Sequence, residues 1–329
     1  MLAYAAVPVT AFLVCCVMGP AIIPFLHKLK FGQSIRECGP ESHLKKSGTP
    51  TMGGIMMVAA LVISLVLWGE LTAPVVLALV LTLGHGMIGF LDDYIKVVRK
   101  HNLGLTTKQK FLCQFLLAGA YLYFVEFYMP KMADSTRVWL PLVNEYFELG
   151  WGYYVLAFLL LVGTTNAVNL TDGLDGLVSF VSLPVTLGYA AIAFLTGNND
   201  LILFALGLFG ACAGFLVFNR HPAKIFMGDT GSLALGGGIA ALALLTKTEL
   251  LLVLLGGIYV AEAASVIIQV TYFRLTGGKR IFRMSPLHHH FELGGWRETK
   301  VVAVFTCISL VLAIISIILF VQEFVHAVE

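Results

Sequence analysis

Ten apolar runs, each about as long as a bilayer's hydrocarbon core requires of a helix, share nearly the whole chain and constrain its fold more than any other feature. They cover residues 4–26, 52–71, 73–91, 108–129, 151–170, 176–196, 201–218, 231–246, 250–273 and 300–325. With 58% hydrophobic and 12% charged residues, a soluble fold is excluded, and inside a membrane the backbone must satisfy its own polar groups. The narrowest division lies between the second and third runs, where residues 68–74 intervene and Pro74 is placed to open a new helix. A count of nine would put the termini on opposite sides.

Charge decides between the two counts. Loops after odd-numbered runs hold 18 of the 21 lysines and arginines, the pattern of cytoplasmic loops. The expected fold is therefore an all-α polytopic membrane protein, one integral domain over residues 1–329, with ten transmembrane helices and both termini outside. Residues 137–149 are amphipathic and aromatic, and predict a short β-hairpin on the outer surface between helices four and five. The first run is too long for a signal peptide and reads as a retained span. A net charge of +2 gives no nucleic-acid footprint. Cys15, Cys16, Cys113, Cys212 and Cys307 lie in apolar runs and Cys38 in a basic loop, with no zinc or redox spacing.

Five carboxylates gather at the expected cytoplasmic ends: Asp92 and Asp93, Asp172 and Asp175, and Asp229. Each alone fits a solvated helix end; together they call for a compensating cation and a polar substrate. Asp92-Asp93 closes the third span against the helix dipole, whereas Lys108 and Lys110 open the fourth, where a phosphate is welcome. Asn166, Asn169, Asp172 and Asp175 recur every three residues, so neighbours in the row share a helix face that winds slowly round. Asp229 precedes the eighth span, where it serves as an N-cap or leaves that role to Thr230. Oxygen ligands of this kind suit Mg²⁺ better than zinc.

The last cytoplasmic loop carries Arg280, Arg283 and the run Pro286-Leu-His-His-His-Phe-Glu292. Adjacent histidines point in different directions and no cysteine accompanies them, so donation to a diphosphate fits better than zinc, with solvated surface as the alternative. Glu262 and Gln269 in the ninth span mark either a functional surface or interhelical hydrogen bonding. Gly256-Gly257 suits either close packing or a bend there.

Together these motifs, with Lys45-Lys-Ser-Gly-Thr-Pro-Thr-Met-Gly-Gly54 and Met227-Gly-Asp-Thr-Gly-Ser232, closely resemble the phospho-N-acetylmuramoyl-pentapeptide transferase family of polyprenyl-phosphate hexosamine-phosphate transferases. The resemblance covers essentially the whole chain. It implies transfer of phospho-N-acetylmuramoyl-pentapeptide from its UDP derivative to undecaprenyl phosphate, forming lipid I and UMP at the cytoplasmic face of a bacterial inner membrane. It implies Asp229 as the Mg²⁺ ligand, Asp92 and Asp93 on the lipid phosphate, and His288 and His289 on the sugar-nucleotide diphosphate. Lys46, Asn169, Asp172, Asp175, Phe226 and Gly228 would shape the uridine pocket, Phe226 stacking on uracil. Thr51, Lys96, Lys108, Ser232 and Gln269 are further substrate-binding candidates, and a homodimer is what the family suggests. The alternatives are a related N-acetylglucosamine-1-phosphate transferase or a secondary transporter; against the latter, the acids sit at one rim and no internal repeat is visible.

Overall fold

The computed structural model describes residues 2–28, 46, 48–98, 104–128 and 136–326; Cys38, Lys45 and Ser47 lie outside them. The expected runs form α1 (Leu2–Lys28), α2 (Gly54–Trp68), α3 (Ala73–Val98), α4 (Thr107–Tyr128), α5 (Gly152–Thr171), α6 (Leu177–Leu195), α7 (Asn199–Asn219) and α8 (Gly228–Leu245). They continue as α9 (Leu251–Leu255), α10 (Gly257–Leu275), α11 (Leu287–Glu292) and α12 (Glu298–His326).

Among the described residues nine helices are long and apolar enough to cross a membrane, and α2, at 15 residues, is apolar but shorter. Its expected first residues are used elsewhere. Gly53 and Gly54 donate backbone N–H groups to the carbonyls of Phe226 and Met227 at 2.9 Å each, and the Phe226 N–H donates to Pro50 at 2.8 Å. Met52 is held at φ 72°, so the helix cannot begin before Gly54. The ninth run divides at Gly256 into α9 and α10, the bend its glycines allow.

α8 forms the centre of the bundle and packs along α3 and α5. Its small residues set the spacing: a Cβ on Gly236 would meet Thr165 Cα at 2.6 Å, and one on Gly237 the Leu81 carbonyl at 2.7 Å. The perimeter is apolar, with Leu67, Leu116, Ile267 and Ile318 all more than half exposed, as a chain dissolved in lipid tails requires.

The expected hairpin is present as β1 (Arg137–Leu140) and β2 (Glu145–Glu148), antiparallel, with Arg137 opposite Glu148. Trp139 fastens it, stacking edge-on against Phe320 of α12 with centroids 5.6 Å apart. α4 starts and α5 finishes beside the carboxylates described below, so the hairpin joining them lies at the opposite end of the bundle.

Candidate active site

Two sequence expectations about helix ends are corrected first. α3 does not stop at Asp92-Asp93 but runs on to Val98, placing Lys96 one turn beyond the acids, where positive charge suits the helix C-terminus. The pair is therefore internal to the helix. The Asn-Asp row does not continue one helix either: α5 ends at Thr171, and Asp172 through Gly176 form a turn, with Gly176 at φ 77°. Gly173 and Gly176 release the backbone from helical geometry, so Asp172 and Asp175 diverge into different clusters.

In the first cluster, oxygens of Asp92, Asp93 and Asp229 lie within 4.8 Å of one another. Lys96 bridges all three, touching Asp92 closely and reaching Asp229 at 3.2 Å and Asp93 at 3.7 Å. Lys110, from the first turn of α4, reaches Asp229 at 2.9 Å. The remaining oxygens fix the carboxylates in place. Leu105 N–H donates to Asp92 Oδ1 at 2.8 Å, and the Asn169 amide to Asp229 Oδ1 at 2.9 Å and to Ser232 Oγ at 2.8 Å.

Asp93 Oδ2 accepts from both the N–H and the hydroxyl of Thr230, at 2.9 and 2.8 Å. α8 begins at Gly228 with no side-chain cap of its own, so neither Asp229 nor Thr230 caps it; a carboxylate from α3 satisfies its first turn instead. Asp229 stands just inside that turn.

Asp172 adjoins this cluster. Burial, then the charges of Asp229, Asp93 and Asp175, push its pKa up to about 8, partly offset by a hydrogen bond from the Gly228 backbone. Gly228, at φ 71°, has no room for a side chain, because a Cβ would meet Asp93 Oδ2 at 2.6 Å and Thr51 Oγ1 at 2.7 Å.

A second cluster surrounds Asp175. Lys46 Nζ lies 2.7 Å from Asp175 Oδ1 and 2.6 Å from Glu298 Oε1, while His221 Nδ1 and the Ala223 N–H meet Asp175 Oδ2 at 3.1 and 3.0 Å. Phe226, half-buried, is tied through its backbone to Pro50 and Gly53.

The histidine run adds a third element. His288 and Glu262 are both buried, with His288 Nδ1 3.2 Å from Glu262 Oε1. His288 Nε2 has no partner among the described residues and sits where a Cβ on Gly173 would lie 2.1 Å away. Leaving such a group unpaired costs about 1–3 kcal/mol, and Glu262 Oε2 is buried without a partner among the described residues as well. His289 pairs with Glu292 at 3.0 Å, and Gln269 accepts the Ile281 and Phe282 amides at 3.1 and 2.9 Å.

The structure thus brings together Asp92, Asp93, Lys96, Asn169, Asp172, Asp229 and Ser232, with Thr51 and Gly228 alongside. Lys46 and Asp175 lie in the neighbouring cluster. Lys108 is exposed and outside both clusters; Lys110, from the same helix end, makes the contact. Glu298 and His221 were not singled out in the sequence. The available signal for Glu298 was an acid opening the last apolar run in an otherwise basic loop.

Both clusters have the donor spacing of a metal site, but their free valences differ. In the second, Lys46, His221 and the Ala223 backbone amide occupy both oxygens of Asp175. In the first, Asp92 Oδ2, Asp93 Oδ1 and Asp229 Oδ2 face lysine ammoniums. Lys96 stands where a cation would, and three acids against two lysines leave negative charge over. All-oxygen donors with surplus charge fit a hard divalent ion.

Comparison with known proteins agrees in scale with this site. A family model described as Glycosyl transferase family 4 matches residues 74–247. A phospho-N-acetylmuramoyl-pentapeptide-transferase of Bacillus subtilis (strain 168) is 51% identical over 310 residues, covering 93% of this chain and 94% of the relative. Proteins of the same name from Shouchella clausii (strain KSM-K16) and Bacillus mycoides (strain KBAB4) are 52% identical over 315 residues and 53% over 313, covering 94% and 93% of this chain and 95% and 94% of theirs.

Proposed function

Because the chain belongs to the phospho-N-acetylmuramoyl-pentapeptide transferase family, we propose that it moves phospho-N-acetylmuramoyl-pentapeptide from UDP onto undecaprenyl phosphate, releasing UMP and forming lipid I. The observation that carries this reading is the meeting of Asp92, Asp93 and Asp229 with Lys96 and Lys110 at one end of a lipid-facing bundle. Phosphoryl transfer between two anions needs such a place.

An oxygen of the lipid phosphate attacks the β-phosphorus of the nucleotide, and the bond from that phosphorus to the bridging oxygen breaks, leaving UMP. One diphosphate is made as another is lost, so the exchange is near thermoneutral and reversible. Mg²⁺, held by Asp229 with Asp92 and Asp93 beside it, supplies charge neutralisation when bound. Lys96 and Lys110 take the charge of incoming phosphates, Asn169 orients Asp229, and Thr230 orients Asp93. Lys46, Asp172, Asp175, Phe226 and Gly228 form the uridine pocket, Phe226 stacking on the base, with Thr51, Ser232 and Gln269 as supporting contacts and Lys110 in the place expected of Lys108. His288 and His289 meet the diphosphate.

Asp92 acts as a positioning group. A phosphate monoester has a second pKa of about 6, so the acceptor needs no base to become a nucleophile at neutral pH. A phospho-enzyme trapped with labelled nucleotide in the absence of lipid would refute direct attack.

The whole chain works as one membrane domain that crosses the inner membrane ten times, with both termini outside, the site cytoplasmic, lipid tails around it and a second copy as its partner. Radiolabelled UMP exchange into the nucleotide, dependent on polyprenyl phosphate and Mg²⁺, tests the reaction. Mass spectrometry with muramoyl-pentapeptide and N-acetylglucosamine nucleotides in competition separates this function from the related hexosamine transferases.

A further inference from the structure

We infer that Glu262 is the positioning residue of His288: a buried carboxylate on α10 that dictates which imidazole nitrogen carries the proton and turns the other toward the Asp172-Gly173 backbone. This rests on the reading of His288 as a diphosphate contact and extends it to a residue that touches no substrate.

Glu262 is fully buried, in a span whose outer face carries Ile267 and Ile268 to the lipid side. A carboxylate in such a place depends on its partners, and among the described residues Glu262 has them on Oε1 alone, Oε2 being buried without one. Its Oε1 receives the backbone N–H of His288 at 3.3 Å, so that oxygen presents a lone pair. Nδ1 of the same residue, 3.2 Å from it, is therefore the protonated nitrogen. Nε2 is left as the working atom, without a partner among the described residues and pressed against Gly173, the residue that follows Asp172.

Gln269 stands seven residues, about two turns, further along the same helix face. It accepts the Ile281 and Phe282 amides and donates to the Phe282 carbonyl at 3.2 Å. α10 thus grips the last loop at two points, and the histidine's orientation comes from the helix rather than from the loop that carries it. Partners of this kind are worth about 10–100-fold where they orient a functional imidazole.

The test uses the full-length protein in nanodiscs, comparing wild type, E262Q, E262L, H288A and the E262L/H288A double variant, with ¹⁵N NMR of the histidine side chains. E262L is expected to lower kcat about 10–100-fold while KM for the nucleotide changes less than about threefold. E262Q, which keeps an accepting oxygen, should recover part of the loss. The double variant should be no slower than H288A alone, since both changes remove one function.

The resonance lost in H288A should show the Nδ1–H tautomer in the wild type and a mixture in E262L. Additive losses, an E262L rate within twofold of wild type, or an Nε2–H tautomer in the wild type would overturn the inference. The last measurement stands even if E262L fails to fold. An H288A protein with wild-type kcat and KM would instead overturn the reading of His288 itself.

Discussion

Asp229 receives both lysine ammoniums on Oδ2 and the Asn169 amide on Oδ1, so Asp229→Asn removes the charge that two cations share. Transfer should fall by about 10²–10³-fold, measured as UMP exchange; retention of more than a tenth of the rate would contradict the assignment. Gly173→Ala forces a Cβ to within 2.1 Å of His288 Nε2, and a displaced diphosphate contact should cost about 10²-fold in kcat. Asp172 carries a pH dependence: its folded pKa is raised from 3.8 to about 8, so the fold holds its proton more tightly than the unfolded chain. That advantage is complete below about pH 4 and is lost as pH rises toward 8. In EDTA, the melting temperature should therefore fall between pH 5 and pH 8, and Asp172→Asn should flatten the slope; an unchanged slope would show that another group titrates. At this scale the sequence revealed the chemical types and their clustering. It did not reveal partners, because the pairings of Lys46 with Glu298 and of Glu262 with His288 span 252 and 26 residues, and no local spacing encodes them.

Helix ends were the least legible elements, and each departure has a local cause. α2 starts late because Gly53 and Gly54 hydrogen-bond to the loop before α8. α8 starts early because Asp93 supplies from outside the cap that its own sequence lacks. The hairpin and the break at Gly256 were readable, since alternation and glycine pairs act within a few residues. The crossing of α3 over α8 permits a sharper test. A Cβ on Gly89 would lie 2.0 Å from the Asp229 carbonyl, whereas Gly163, on the exposed face of α5, has nothing within 4 Å. Gly89→Ala should lower the melting temperature, with overpacking costing about 1–3 kcal/mol, and should separate the acids enough to reduce activity. Gly163→Ala should be neutral or stabilising, because alanine is the better helix former by about 1 kcal/mol. Equal effects would mean that close approach does not hold these helices in register.

Over the whole molecule, the bundle delivers the ends of α1, α3, α5, α7 and α10 and the starts of α2, α4, α6, α8 and α12 to a single face, which is how residues from Lys46 to Glu298 reach neighbouring clusters. On the proposed orientation that face is the cytoplasmic one, because the loops after odd-numbered apolar runs carry most of the lysines and arginines. With native cysteines replaced, a cysteine at Leu142, on the hairpin tip, should react with an impermeant maleimide in intact cells, and one at Lys224 only after permeabilisation. The reverse pattern would invert the topology. The cation proposed at the meeting point of Asp92, Asp93 and Asp229 is the most direct thing to measure. With Mn²⁺ in place of Mg²⁺ and the UDP-sugar bound, pulsed electron-nuclear double resonance should show phosphorus coupled to the metal in the wild type and no such coupling in Asp229→Asn. Undiminished coupling in that variant, or none in the wild type, would contradict the account.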